Sequence, residues 1–241
     1  MTVVSSRACP SKTWMNRTSV PLSRRWTAKL WRMVWGVACR AIPAKAQARA
    51  IARLARERKL TLLVPMLDTL DTLDATIEKL CQFVGVPQRE QLPYKIGTMI
   101  EVPSAAILID DLLPRVDAVA VGLNDLTQYL LAADRDDELV ERYHDPLQPV
   151  VLRLLRRIVV AAETHGKPLT ICGELAGDPK LTGLLLALGI RRLSVSRSSY
   201  AAVLSAIHRL SLRSIDGAAD EILSLSTGAA VRRFISEHMG S

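Results

Sequence analysis

Residues 118–135 read AVAVGLNDLTQYLLAADR, and this stretch decides the fold. Ala118–Gly122 is a short run of small and β-branched apolar residues with no polar face, as a strand covered on both sides requires. It ends on a glycine, and past Leu123 comes the polar pair Asn124-Asp125, with Arg135 ten residues beyond Asp125. Comparable runs recur along the chain, at residues 60–65 (LTLLVP), 96–102 (IGTMIEV), 169–172 (LTIC) and 193–196 (LSVS).

Helical patterns lie between them. After LTLLVP, Leu73, Ile77, Leu80, Cys81 and Val84 share one face, and Gly85 is placed to stop the helix. Residues 146–165 put Val151, Leu154, Leu155, Ile158 and Ala162 on one stripe that ends at Gly166. Asp178-Pro179 reads as a cap followed by a first-turn proline, and Gly189 closes that helix. Apolar strands alternating with amphipathic helices predict an α/β fold with a parallel sheet. A TIM-type barrel and a doubly wound sheet both satisfy the pattern. Five strands fall short of the eight βα units, over about 250 residues, of a closed barrel.

The chain holds two compositions. Residues 1–58 carry 13 of the 32 Lys+Arg and a single acid, Glu57, together with all four tryptophans (Trp14, Trp26, Trp31, Trp35). Residues 59–241 carry 19 basic and 23 acidic residues, so the net charge of +8 resides in the head. Acid-poor, Arg-containing N-termini occur in transit segments, and Trp with Arg suits a membrane surface or nucleic acid. No motif that reads a nucleic acid accompanies the charge, and the apolar residues of the head keep no sustained period. Residues 1–44 are therefore expected to be a basic, poorly structured extension, 45–215 the α/β segment and 216–241 a helical tail. No apolar run approaches the roughly 20 residues of a membrane span. The four cysteines (Cys9, Cys39, Cys81, Cys172) form no CxxC pair, so free thiols in a reducing cytoplasm are expected.

The polar residues worth chemistry sit at strand ends. Glu101 closes the second run, Asn124 and Asp125 follow the third, and Cys172 ends the fourth. Strand C-termini of a parallel sheet share one rim, where ligands bind. Two carboxylates suit Mg²⁺ completed by waters and substrate oxygens. An amide and a guanidinium suit a phosphate or carboxylate. Cys172 can deliver a proton to carbon if its acidity is tuned near neutrality. Taken singly, each of these is more simply a cap, a surface charge or a small buried hydrophobe. Tyr129, His144 and His165 are read as structural.

Three segments, IGTMIEVPSAA, VGLNDLTQYLLAADR and GKPLTICGELAGDP, occur in this order. Together they resemble the phosphoenolpyruvate-utilising family, most closely its Enzyme I branch and the nitrogen-related paralogue. Pyruvate phosphate dikinase and phosphoenolpyruvate synthase are further members. The resemblance covers residues 46–210 and implies a partial (β/α) barrel comprising the last five strands of eight. It makes Glu101 and Asp125 the expected Mg²⁺ ligands, Asn124 and Arg135 substrate-phosphate contacts, and Cys172 the acid that converts the enolate to pyruvate. Arg49, in QARAIARLA, matches a family arginine through a shorter stretch.

The resemblance further implies phosphoryl transfer from phosphoenolpyruvate to a histidine carried by a phosphocarrier protein or another domain, and a homodimer. The sequence departs from the family in several places. Two arginines carried by earlier family strands have no counterpart, Arg40 standing at the wrong distance, and His144, His165, His208 and His238 lie outside the phospho-histidine motif. Leu123 and Arg197 replace small residues. A phosphotransferase part is the leading expectation. A binding remnant without turnover, and a dikinase or synthase fragment, are the alternatives. A carbon–carbon lyase on a similar barrel has no need of the CGE cysteine.

Overall fold

A computed structural model describes residues 2–5, 44–211, 215 and 217–239. Six parallel strands form one sheet in the order β1-β6-β5-β4-β3-β2. They are β1 (Thr2–Ser5), β2 (Thr61–Val64), β3 (Lys95–Ile100), β4 (Ala118–Gly122), β5 (Leu169–Cys172) and β6 (Arg192–Val195). The five runs read from the sequence are β2 to β6, each within two residues of its expected bounds. The expectation of an α/β fold with a parallel sheet is met. β1 is a correction, because no strand was expected in residues 1–44. It pairs with β6 from Thr2↔Arg192 to Ser5↔Val195. Of the basic head expected to be irregular, residues 1 and 6–43 lie outside the described residues, and Ala44 opens a helix.

The chain divides into two compact units: Met1–Arg7, Thr61–Leu73 and Lys95–Ser241 form one, Ala8–Leu60 and Asp74–Tyr94 the other. In the smaller unit, helix α1 (Ala44–Glu57) buries Ala48 and Ala52. Helix α2 (Leu70–Val84), which belongs to this unit from Asp74 onward, ends at Gly85, whose φ of +85° and bond to Cys81 O at 2.8 Å close it as a left-handed cap. The Arg49 guanidinium, on α1, donates through Nε to Phe83 O at 3.2 Å.

In the larger unit the sheet is covered by helices whose starts and stops follow from their sequences. Short helices α3 (Pro103–Ile107) and α4 (Ile109–Leu112) follow β3, and α5 (Leu123–Leu131) follows β4 with no intervening loop. Helix α6 (Pro149–Thr164) opens on proline, where no N–H is missed, and buries Val151, Leu152, Leu155, Ile158 and Val159. Gly166, at φ +62°, stops it. Asp178 Oδ1 accepts from Lys180 N at 2.9 Å and caps a single 3₁₀ turn, from which α7 (Thr182–Ala187) continues; Gly189 at φ +93° follows.

Helices α8 (Tyr200–Arg209), α9 (Ala218–Ser224) and α10 (Gly228–His238) complete the unit. The last two are docked, with Ile222, Val231 and Phe234 buried. Arg153 of α6 donates to Leu223 O and Leu225 O at 3.0 and 3.1 Å. The core is the apolar layer between strands and helices, where Ile100, Val121, Ile171 and Leu193 are fully buried. Because all strands are parallel, the residues after β2, β3, β4 and β5 emerge on one edge of the sheet.

Candidate functional site

β3 carries Glu101 to that edge directly after Ile100. Glu101 is only 7% exposed, and its Oε2 accepts the Met66 N–H at 3.0 Å. Met66, just past β2, holds φ at +50°, a left-handed conformation unusual for a long side chain. That turn aims its N–H at the carboxylate. On the other side Glu101 lies against Gly122, the last residue of β4. A Cβ there would come within 2.6 Å of Glu101 Cγ and 2.8 Å of Oε1. The glycine is thus required by the close approach of the glutamate, not by its own backbone.

Asn124 and Asp125 occupy the first turn of α5 and do not form the loop turn that an Asn-Asp pair after glycine suggests. Asn124 Oδ1 accepts the Glu174 N–H at 3.4 Å. This orients the amide and leaves its Nδ2 as a donor. Gly173 passes so close that a Cβ would fall 2.9 Å from Asn124 Oδ1, and its φ is +110°. Asn124 O meets His144 Nε2 at 2.9 Å. Asp125 Oδ1 stands 3.6 Å from Arg135 Nη1. That nitrogen is buried and makes no hydrogen bond, a donor suited to an anion.

Cys172, at the end of β5, donates its thiol to Val121 O at 3.1 Å. Burial pushes its pKa up to about 11, and the charges of Glu101 and Asp125 add to the effect. The condition set from the sequence, acidity tuned near neutrality, is therefore not met by the protein alone. The group is a protonated thiol, held so by burial and two anions. Glu101 is raised from 4.5 to about 7, foremost by burial, against the Met66 N–H and with Asp125 adding to the rise. Tyr129 of α5 is raised by burial, then by Asp125 and Glu101.

Five of the six expected residues thus meet at one sheet edge: Glu101, Asn124, Asp125, Arg135 and Cys172. Arg49 belongs to the other unit. Sequence reasoning gave no role at the site to Met66, Gly122 and Gly173, which contact Glu101 or Asn124; His144, read as structural, bonds the main chain at Asn124. The one local signal was glycine at two strand ends.

Among the described residues no group of three or more His, Cys, Asp and Glu is placed to hold a metal. Two carboxylates whose charges disfavour one another nonetheless fit a hard divalent cation that takes its remaining ligands from water and substrate. No helix among the described residues is long and apolar enough to cross a membrane.

Residues 34–212 match the family described as PEP-utilising enzyme, PEP-binding domain. The chain is 37% identical over 199 residues to an Escherichia coli (strain K12) protein named "Phosphoenolpyruvate-dependent phosphotransferase system", covering 80% of this chain and 26% of that one. It is 33% identical over 197 residues to the Bacillus subtilis (strain 168) "Phosphoenolpyruvate-protein phosphotransferase", covering 80% and 35% respectively. The chain therefore spans about a quarter to a third of the length of these curated relatives. Among solved structures it is similar to a citrate lyase from Burkholderia xenovorans LB400, 18% identical with a TM-score of 0.49, over 80% of this chain and 66% of that one. The match across residues 34–212 makes the chain a member of the PEP-utilising enzymes, through their PEP-binding domain.

Proposed function

We propose that the edge formed by Glu101, Asn124, Asp125, Arg135 and Cys172 binds phosphoenolpyruvate and takes part in moving its phosphoryl group to a histidine on another domain or a phosphocarrier protein. The observation that carries the reading is the buried, unbonded Arg135 Nη1 beside a carboxylate pair and a protonated thiol. A guanidinium N–H that makes no hydrogen bond suits a phosphate oxygen, and the Nδ2 of Asn124, whose amide oxygen accepts the Glu174 N–H, suits another.

Glu101 and Asp125 would hold Mg²⁺. When bound, such an ion supplies positive charge against the phosphate and the enolate oxygen. The protein's own work is positioning and proton transfer. Arg135 and Asn124 hold the phosphate while its bond to the enol oxygen breaks and the phosphoryl group passes to the histidine nitrogen. The enolate left behind takes a proton at its methylene carbon from Cys172 Sγ, giving pyruvate and a thiolate that solvent reprotonates. A thiol with its pKa pushed up to about 11 is fully charged with its proton at neutral pH, as a donor must be.

Arg49 is a further phosphate contact on the resemblance alone. A homodimer, a cytoplasmic location and a partial (β/α) barrel belong to the same reading. The test is exchange of pyruvate methyl protons with D₂O in the presence of Mg²⁺. Exchange that is lost in Cys172→Ala while phosphoenolpyruvate still binds is the expected result. A folded chain that binds but never exchanges overturns the proton-donor role and leaves a binding module.

A further inference from the structure

Two carboxylates are buried among the described residues, and only Glu101 belongs to the cluster above. The other, Asp145, is 9% exposed, and a carboxylate so placed is costly unless it is paired. Its Oδ1 accepts the Leu147 N–H at 3.0 Å and meets Arg232 Nη2 of α10 at 2.7 Å, and its Oδ2 accepts from Gln148 Nε2 at 3.0 Å. The first residue of α10 closes over it: a Cβ on Gly228 would stand 2.8 Å from Asp145 Oδ2. The C-terminal helix is thus fastened, through its N-terminus and one arginine, to the turn at 145–148.

The residue before Asp145 is His144, whose Nε2 reaches Asn124 O at 2.9 Å across 20 residues of sequence. A carbonyl oxygen only accepts, so Nε2 carries the hydrogen. Asn124 is in turn the residue whose amide is oriented by Glu174 N–H. A continuous set of contacts therefore runs from α10 through Arg232 and Asp145 to His144 and the main chain at Asn124.

We propose that His144 and Asp145 are positioning residues for the anion site: Arg232 clamps Asp145, and the clamped turn lets His144 hold the first turn of α5 in the register that presents Asn124 and Asp125. The inference rests on the phosphoenolpyruvate reading for its ligand, and on geometry alone for the clamp. It gives the C-terminal helix a role in affinity that its distance in sequence from the site does not suggest.

The experiment compares the full chain with Arg232→Ala, Arg232→Lys, His144→Gln and Arg153→Ala. Arg153 anchors the same C-terminal segment at Leu223 O and Leu225 O, so it controls for docking as such. Two readouts are taken: amide hydrogen exchange at residues 127–130, the first to bond back within α5, and calorimetric affinity for phosphoenolpyruvate with Mg²⁺. Arg232→Ala and His144→Gln are each expected to speed exchange there and weaken binding about tenfold, as loss of a supporting partner typically does. Arg232→Lys should restore most of both, and Arg153→Ala should lower the melting temperature without changing either.

Equal changes in Arg153→Ala would reduce the clamp to ordinary docking and overturn the proposal. So would unchanged exchange in both Arg232→Ala and His144→Gln. A wild-type chain that binds no phosphoenolpyruvate sinks the ligand reading, and the exchange data still decide the clamp.

Discussion

Replacing Glu101 by glutamine isolates the cost of keeping a charge at the buried edge. The carboxyl titrates at 4.5 when unhindered and is raised to about 7 in the folded chain. The folded state therefore holds a proton that the unfolded state has released between these two values. Stability linked to Glu101 is complete below pH 4.5, falls as the pH rises through that window, and levels off above about 7. Each pK unit is worth 1.36 kcal/mol, so the wild-type chain should lose about 3 kcal/mol relative to Glu101→Gln across the window.

The cause is burial first, with Asp125 adding and the Met66 N–H opposing. Urea unfolding at half-unit pH steps, both proteins side by side, reads the difference directly. Mg²⁺ should shrink it at pH 7.5, because a cation at Glu101 and Asp125 favours the ionised form. A wild-type minus Glu101→Gln difference that stays flat from pH 4 to 8 refutes the reasoning. A rise with pH would do so more strongly, since it would make Glu101 a stabilised anion.

Two substitutions probe the close approaches at the site. Gly122→Ala places a methyl 2.6 Å from Glu101 Cγ, so the glutamate must move; about 1–3 kcal/mol of stability should be lost by denaturant titration, with Mg²⁺ affinity falling about tenfold. Unchanged affinity would mean that Glu101 is not a ligand. Gly173→Ala meets both a φ of +110° and Asn124 Oδ1 at 2.9 Å. It should cost about 1–3 kcal/mol and weaken phosphoenolpyruvate binding. Gly166→Ala, at φ +62° with nothing within 4 Å, should cost about 1 kcal/mol in thermal unfolding and leave binding alone. Equal binding losses in both would remove Asn124 from the site.

The strands of the larger unit were legible because they are short, apolar and punctuated. Ala118–Gly122 and Leu169–Cys172 match the structure residue for residue. So were the helix stops at Gly85, Gly166 and Gly189, whose positive φ values explain the choice of residue. β1 was not legible. Four residues in a basic, acid-poor segment give no local pattern, and what makes Thr2–Ser5 a strand is its pairing with β6.

The five residues at the edge could be read from strand ends together with the family resemblance. Their supports could not. Met66 meets Glu101 across 35 residues and His144 meets Asn124 across 20, and no local spacing encodes such contacts. The state of Cys172 was not legible for the same reason: its proton affinity depends on burial and on two carboxylates brought from distant parts of the sequence.

Calorimetric titration of the chain with phosphoenolpyruvate, with Mg²⁺ and then with excess EDTA, addresses the site most directly. One-to-one binding that needs the metal and is lost in Arg135→Ala is the expected result. Binding that persists in EDTA and in Arg135→Ala, or no binding by a folded chain, would contradict a phosphoenolpyruvate site built on Glu101, Asn124, Asp125 and Arg135.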